Sequence, residues 1–415
     1  MIAKLDGTKE FNRKLIFAQI LNNVAVSRSD IVTNTGLSKA AVSSLVAEML
    51  EQGLVQETGS QSTTIGRPRI TLELQTEARL ALGAELTDHE CRVILTDLRA
   101  APLKEVTHPI KTTELTVEYL LDFLQACVTE ILADVEQQKI IGMGLTIPAV
   151  VDPSTSTVLL SVLLPWRDVQ LGEELERRFP FPVALFSRGN AATWGERWYG
   201  AGQDAYNLLY VRVGNGIVAG LVINGHPYLG QGFGAGELGH ITVQPNGALC
   251  RCGNRGCLAT VATTESLLIR VRRILREYPE DPLWQALNHH LESLTLDAVF
   301  QAARGGNVVV QQALAEIAAW LAIALASAVN LLNLDRIIVG GPMMIAGEAL
   351  LEPLRTHLQQ RALPTHLAHI DVVASALKEN APSIGAAGLI LHEAMAPDPA
   401  ALLSSTIRER IALFE

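Results

Sequence analysis

The sequence predicts an α/β protein carrying a small helical head, and three observations support this. From about residue 79 onward, apolar runs of strand character such as "KIIGMGLTIPAVVD" and "DRIIVGGPMM" alternate with helical periodicities. Residues 1–75 show three helical patterns followed by two strands. A chain of 415 residues is too long for one core and divides into two or three domains. Hydrophobic content of 48% with charged content of 18% fits large buried cores and excludes a disordered chain.

In the head, Phe11, Leu15, Ile16, Ala18 and Leu21 recur at helical spacing between Thr8 and Asn22. Ser27 with Asp30 reads as a capping box, and Gly36 supplies the tight turn that ends a short second helix. Ser38 is the N-cap of a third helix with Val42, Leu45, Val46, Met49 and Leu50 on one face, stopped at Gly53. Two helices joined by so short a turn make a helix-turn-helix. Ser38, Lys39, Ala40, Ser43 and Ser44 lie off the apolar stripe near the start of that helix; they are small or hydrogen-bonding groups able to approach bases and phosphates in a major groove. The next stretch, "LVQETGSQSTTIGRPRITLEL", reads as two strands and a polar loop, a wing whose Gly66, Arg67 and Pro68 can carry Arg67 into a narrow minor groove. Net charge is -10, yet residues 1–75 hold eight Lys/Arg against seven Asp/Glu. A neutral-to-basic head on an acidic body is compatible with DNA binding by the head alone. The alternative is a helical domain for protein contacts with a solvated polar face.

In the body, "ARLALGAELTDHECRVILTDLRA" reads as two strands with a turn at Thr87 to Glu90. "NLLYVRVGNGIVAGLVINGHPYLG" reads as a hairpin with Gly214 and Gly216 at its tip and a further turn at Asn224-Gly225. Ile317 to Leu334 carries no charge, but its Ala, Ser and Asn content and the strand that follows mark a buried helix and no membrane span. The first residues show no apolar run of signal-peptide length, so a cytoplasmic protein is expected. Of five cysteines, Cys91, Cys127, Cys250, Cys252 and Cys257, three fall within eight residues, which points to a metal before disulfides. His240, Cys250, Cys252 and Cys257 are separated by nine, one and four residues and form the donor set of a closed, tetrahedral, structural Zn²⁺ site. Gly253 and Gly256 permit the turns this needs; the alternative is a group of unligated thiols.

Through "GELGH", the Cys-x-Cys-Gly-x-x-Gly-Cys segment and "IIVGGP", the chain resembles the ROK family, which joins transcriptional repressors and sugar kinases. The resemblance covers nearly the whole chain. It implies a winged helix-turn-helix over 1–75 and a two-lobed, actin-like (ribonuclease H-like) sugar-kinase-type body. The first lobe would span 79–190 and the second 191–396, with the final helix returning to the first lobe. Residues 397–415 form a tail that reads as a short amphipathic helix. The resemblance also implies that His240 holds zinc through one ring nitrogen while its other edge and Glu237 face a sugar.

Family members with kinase activity carry Glu-Asn-Asp-Ala-Asn-Ala-Ala where this chain reads "FSRGNAA", the Asp serving as base. Phe186, Ser187 and Arg188 therefore stand at the Glu, Asn and Asp positions, and a guanidinium cannot accept a proton. The family's phosphate-binding Asp-x-Gly-Gly-Thr is replaced by "ELTDHE", Glu85 to Glu90, which lacks the glycines and adds Asp88. Ala259 replaces a further sugar-binding Glu. These departures imply a regulator and no enzyme: a repressor of carbohydrate-utilisation genes whose pocket, with Glu237, His240, Arg188 and Ser187, senses a sugar or sugar derivative. An anionic ligand would pair with Arg188; alternatively Arg188 pairs with Glu237 or another pocket acid. The protein would act as a homodimer, or a tetramer built from it, on an inverted-repeat double-stranded DNA operator, with motion passing through Gln75 to Arg79. Rival readings are an ATP-dependent sugar kinase with a DNA-binding head, and a regulator controlled by a protein partner.

Overall fold

The computed structural model describes residues 2–23, 25–61, 69–87, 89–111 and 115–396, together with 403, 407, 410, 411, 413 and 414. Arg67 and Asp88 lie outside the described residues.

The head begins with α1 (Ile2–Leu21), which starts ahead of the periodic stretch, followed by β1 (Val26–Ser27), α2 (Arg28–Thr35) and α3 (Lys39–Glu51). Ser27 and Asp30 close the capping box in both directions at 3.0 and 3.3 Å, satisfying two backbone donors that the first turn of α2 would otherwise leave unpaired. Gly36 ends α2 in the left-handed region at φ 70°, where a Cβ would be strained. Ser38 accepts from the Ala41 amide at 3.2 Å and starts α3. Ile16, Phe17, Ile20, Ile31, Val42, Leu45, Val46 and Met49 bury the facing stripes. The strands β2 (Val55–Gln61) and β3 (Arg69–Leu74) form an antiparallel pair, and β1 joins β3 to give the order β1-β3-β2.

The body is built from two five-stranded sheets. The first contains β4 (Leu80–Leu86), β5 (Glu90–Thr96) and β6 (Pro102–Pro109) as an antiparallel meander. After α4 (Val117–Ile131), β7 (Ile140–Ile147) lies parallel to β4. A small sheet of β8 (Val150–Asp152), β9 (Thr157–Leu160) and β10 (Arg167–Gln170) and the short α5 (Gly172–Arg178) precede β11 (Val183–Ser187), parallel to β7. The order is β11-β7-β4-β5-β6. From β11 the chain passes directly into α6 (Arg188–Tyr199).

The second sheet repeats this topology with β12 (Leu208–Val213), β13 (Ile217–Ile223) and β14 (His226–Tyr228) as the meander. Its long connection carries α7 (Thr264–Leu275), α8 (Pro282–Ala286), α9 (Leu296–Arg304) and α10 (Val308–Leu332). Then come β15 (Arg336–Gly340), α11 (Glu348–Gln359), α12 (Pro364–Leu367) and β16 (Asp371–Ala374), with β15 and β16 parallel to β12. The order is β14-β13-β12-β15-β16. The helix α10 is long and apolar enough to cross a membrane, but 56% of its most apolar window is buried within the protein.

The last described helix, α13 (Ala381–Met395), crosses back to the first sheet. It lies almost in contact with β4 and β7 because glycines face it there. A Cβ on Gly83 would stand 1.9 Å from the Ser383 carbonyl, and one on Gly144 2.2 Å from that of Ala386. The head is seated at the other end of α13, where Lys14 Nζ donates to the Glu393 carbonyl at 2.9 Å. The tail, whose apolar pattern gave no indication of its place, buries Leu403, Ile407, Ile411, Leu413 and Phe414 in the same cluster as Ile16, Phe17 and Ile20. Phe414 meets Phe17 edge-on at 5.7 Å, and the Arg13 guanidinium lies 5.0 Å over its ring. The connection at Gln75 to Arg79 is tied at its start to both sides: the Gln75 amide bonds the Leu54 carbonyl, and the Leu98 amide bonds that of Thr76.

Candidate functional site

His240 ends a single 3₁₀ turn (Leu238–His240), and the cysteines lie on the loop that follows, folded back by Gly253 and Gly256 at φ 92° and 72°. The donor atoms of His240, Cys250, Cys252 and Cys257 all lie within 4.8 Å of one another. Cys252 and Cys257 sulfurs are 3.7 Å apart, as are the Cys250 sulfur and His240 Nδ1. Thiolates bound to one tetrahedral zinc at about 2.3 Å stand roughly 3.8 Å apart, so the spacing fits that ion. Asn254 Nδ2 donates to the Cys257 sulfur at 3.3 Å and to Thr242 Oγ1 at 2.9 Å, which orients one ligand. With Nδ1 turned to the cysteines, His240 presents Nε2 to Glu237 Oε2 at 3.8 Å. Burial pushes the Glu237 carboxyl above the usual range, and His240 partly offsets this.

A cleft opens where the small sheet, the β11–α6 corner and the strand end after β14 meet. It is lined by Val151, Pro153, Phe186, Ser187, Asn190, Trp194, Leu229 and Leu389. Ser187 is the N-cap residue of α6, yet its hydroxyl makes no capping bond. Of the residues singled out from sequence as ligand contacts, only Ser187 lines this cleft; Asn190, Phe186 and Trp194 join it, and nothing in the local pattern marked them as contacts.

Arg188 takes the second of the two roles open to it, with an acid other than Glu237. Its Nε lies 3.1 Å from Glu85 Oε1 and its Nη2 donates to the Leu86 carbonyl at 2.9 Å. Both side chains are less than a tenth exposed. A second set of charges spans the lobes nearby. Arg92 donates to the Glu379 carbonyl at 3.0 Å and to Asn380 Oδ1 at 2.9 Å, while Arg212 meets the Glu379 carboxylate at 3.5 Å. Burial raises the Glu379 carboxyl, and Arg212 acts in the opposite sense. On the head, Ser38, Lys39, Ala40, Ser43 and Ser44 are all exposed along one side of α3.

The sequence pattern of the ROK family matches residues 81–393. The chain belongs to the ROK family. Among ROK proteins it is 29% identical to the xylose repressor of Caldicellulosiruptor bescii over 93% of this chain and 96% of that one. A ROK family transcriptional regulator, described as a homologue of the Escherichia coli MLC protein, shares the fold with a TM-score of 0.78 at 24% identity, covering 92% of this chain and 95% of that one. A ROK glucokinase from Streptomyces griseus, solved with glucose and AMPPNP, covers 75% of this chain and 98% of its own, with a TM-score of 0.68 and 27% identity. The ROK regulator thus covers more of this chain than the ROK kinase does.

Proposed function

We propose that this chain is a sugar-responsive transcriptional repressor in which a winged helix-turn-helix is joined to a sugar-kinase body that no longer catalyses. The observation that carries the reading is Arg188, a buried guanidinium held by Glu85 where a kinase of the family keeps its base. It neither accepts a proton nor swings out to do so. Further support comes from the full-length match to a protein named xylose repressor. Ser38, Lys39, Ala40, Ser43 and Ser44, with Arg67 of the wing, would contact an inverted-repeat operator, two heads being supplied by a homodimer in the cytoplasm.

The effector is a neutral aldose of the xylose class. Arg188 is already neutralised, which disfavours an anionic sugar, whereas the cleft offers aromatic and aliphatic walls with the Ser187 hydroxyl and the Asn190 amide. Glu237 and the outer edge of His240 are further candidate contacts. His240, Cys250, Cys252 and Cys257 would hold a structural Zn²⁺, which would fix the ring of His240 from behind.

The test is direct. Purified protein is expected to retain duplexes selected from random-sequence DNA, to release them on addition of D-xylose, and to show no ATP consumption with any common aldose. Elemental analysis should find one zinc per chain, lost in Cys257→Ser. Turnover of ATP dependent on sugar, or failure to enrich any duplex, would contradict the reading.

A further inference from the structure

The core that joins head to body is also the core that lines the cleft. Ile16, Phe17 and Ile20 of α1, Leu389 and Ile390 of α13, and Trp194 of α6 belong to one continuous apolar cluster, which also holds Phe186. The remaining interior forms two separate clusters. Phe186, Trp194 and Leu389 are therefore cleft wall and head-to-body core at once.

Specific contacts run along this cluster. Trp194 and Trp198, one turn apart on α6, have ring centroids 5.7 Å apart. Trp198 lies flat on His392 of α13, centroids 4.1 Å apart and planes 6° from parallel. The next residue is Glu393, whose carbonyl accepts from Lys14 of α1. Lys14 thus caps the last turn of α13, where exposed carbonyls and the negative end of the helix dipole favour a cation. The helices α6 and α13 pack backbone against backbone. A Cβ on Gly385 would stand 1.8 Å from the Ala191 carbonyl, and one on Gly195 2.9 Å from that of Ala381. A close-packed contact of this kind passes a displacement on instead of absorbing it.

We propose that α6 and α13 act as one lever between cleft and head, with Trp198, His392 and Lys14 as positioning residues that turn sugar occupancy at Asn190 and Trp194 into a new angle of α1. This rests on reading the protein as a sugar-responsive DNA-binding regulator. Trp194 is only 2% exposed at the cleft wall, so a sugar that engages it displaces the side-chain stack that packs on α13, and the end of α13 is where α1 is fastened.

Operator affinity of the full chain is measured by fluorescence anisotropy with and without saturating D-xylose, and sugar binding by calorimetry, for the parent, Trp198→Leu, Trp198→Phe and Lys14→Met. Trp198→Leu and Lys14→Met should bind D-xylose and sugar-free operator within about twofold of the parent, yet lose at least about fivefold of the sugar-induced drop in operator affinity. Trp198→Phe, which keeps an aromatic face for His392, should retain the drop. A full-sized drop in both Trp198→Leu and Lys14→Met overturns the lever. A parent that ignores D-xylose removes the functional reading instead, and the lever is then decided by amide hydrogen exchange. Trp194→Ala should speed exchange across α1 in the parent background but not beside Trp198→Leu; unchanged exchange in Trp194→Ala alone overturns it.

Discussion

The Arg188–Glu85 ion pair is buried where β11 runs into α6. Arg188 and Glu85 are 8% and 2% exposed, so each neutralises a charge that would be costly to bury alone. Glu85→Gln should cost about 3–5 kcal/mol of unfolding free energy, because it strands a guanidinium, whereas Glu85→Gln with Arg188→Met should recover most of it. Denaturant unfolding of the three proteins checks this. The family resemblance, aligned through Asn190, Ala191 and Ala192, places Arg188 at the position of the kinase base. It did not show which acid would receive that arginine, because Glu85 reaches it only through strand pairing of β4, β7 and β11. The grouping of His240, Cys250, Cys252 and Cys257, which could hold a metal ion, was legible for the opposite reason: three of its donors lie on one short loop, and local backbone turns bring them together.

At the scale of elements, the helix ends of the head and the strand pairs of the body were readable because caps and turns are local chemistry. Ser27, Gly36 and Ser38 act where the pattern puts them. The resemblance implied the return of the last helix to the first lobe, but its close backbone packing was not readable, since that depends on Gly83, Gly144 and Gly195, which lie on three other elements and show no periodicity among themselves. Gly385→Val should therefore do more than reduce backbone freedom. It drives a branched side chain into the Ala191 carbonyl, and a loss of at least about 1–3 kcal/mol is expected by thermal unfolding, with the spacing of α6 and α13 disturbed.

For the whole molecule, two sheets of one topology bracket the cleft, and the head belongs to neither. It rests on α13 and on Phe414, sharing their apolar cluster. Scanning calorimetry should accordingly show the head melting together with the α6 and α13 region in one transition, and no separate low-temperature peak from residues 1–75. Composition marked the head as distinct in charge but gave no sign of this dependence, because Ile16 and Phe17 read simply as the inner face of an amphipathic helix.

Cutting and pasting such regulators at Gln75 therefore treats as a plug-in cartridge something that is not one. Grafted onto another scaffold, the head would arrive with Ile16, Phe17 and Lys14 looking for counterparts that this helix end and this carboxyl-terminal segment supply. Hybrids should work only when α1, the end of α13 and the residues around Phe414 travel together.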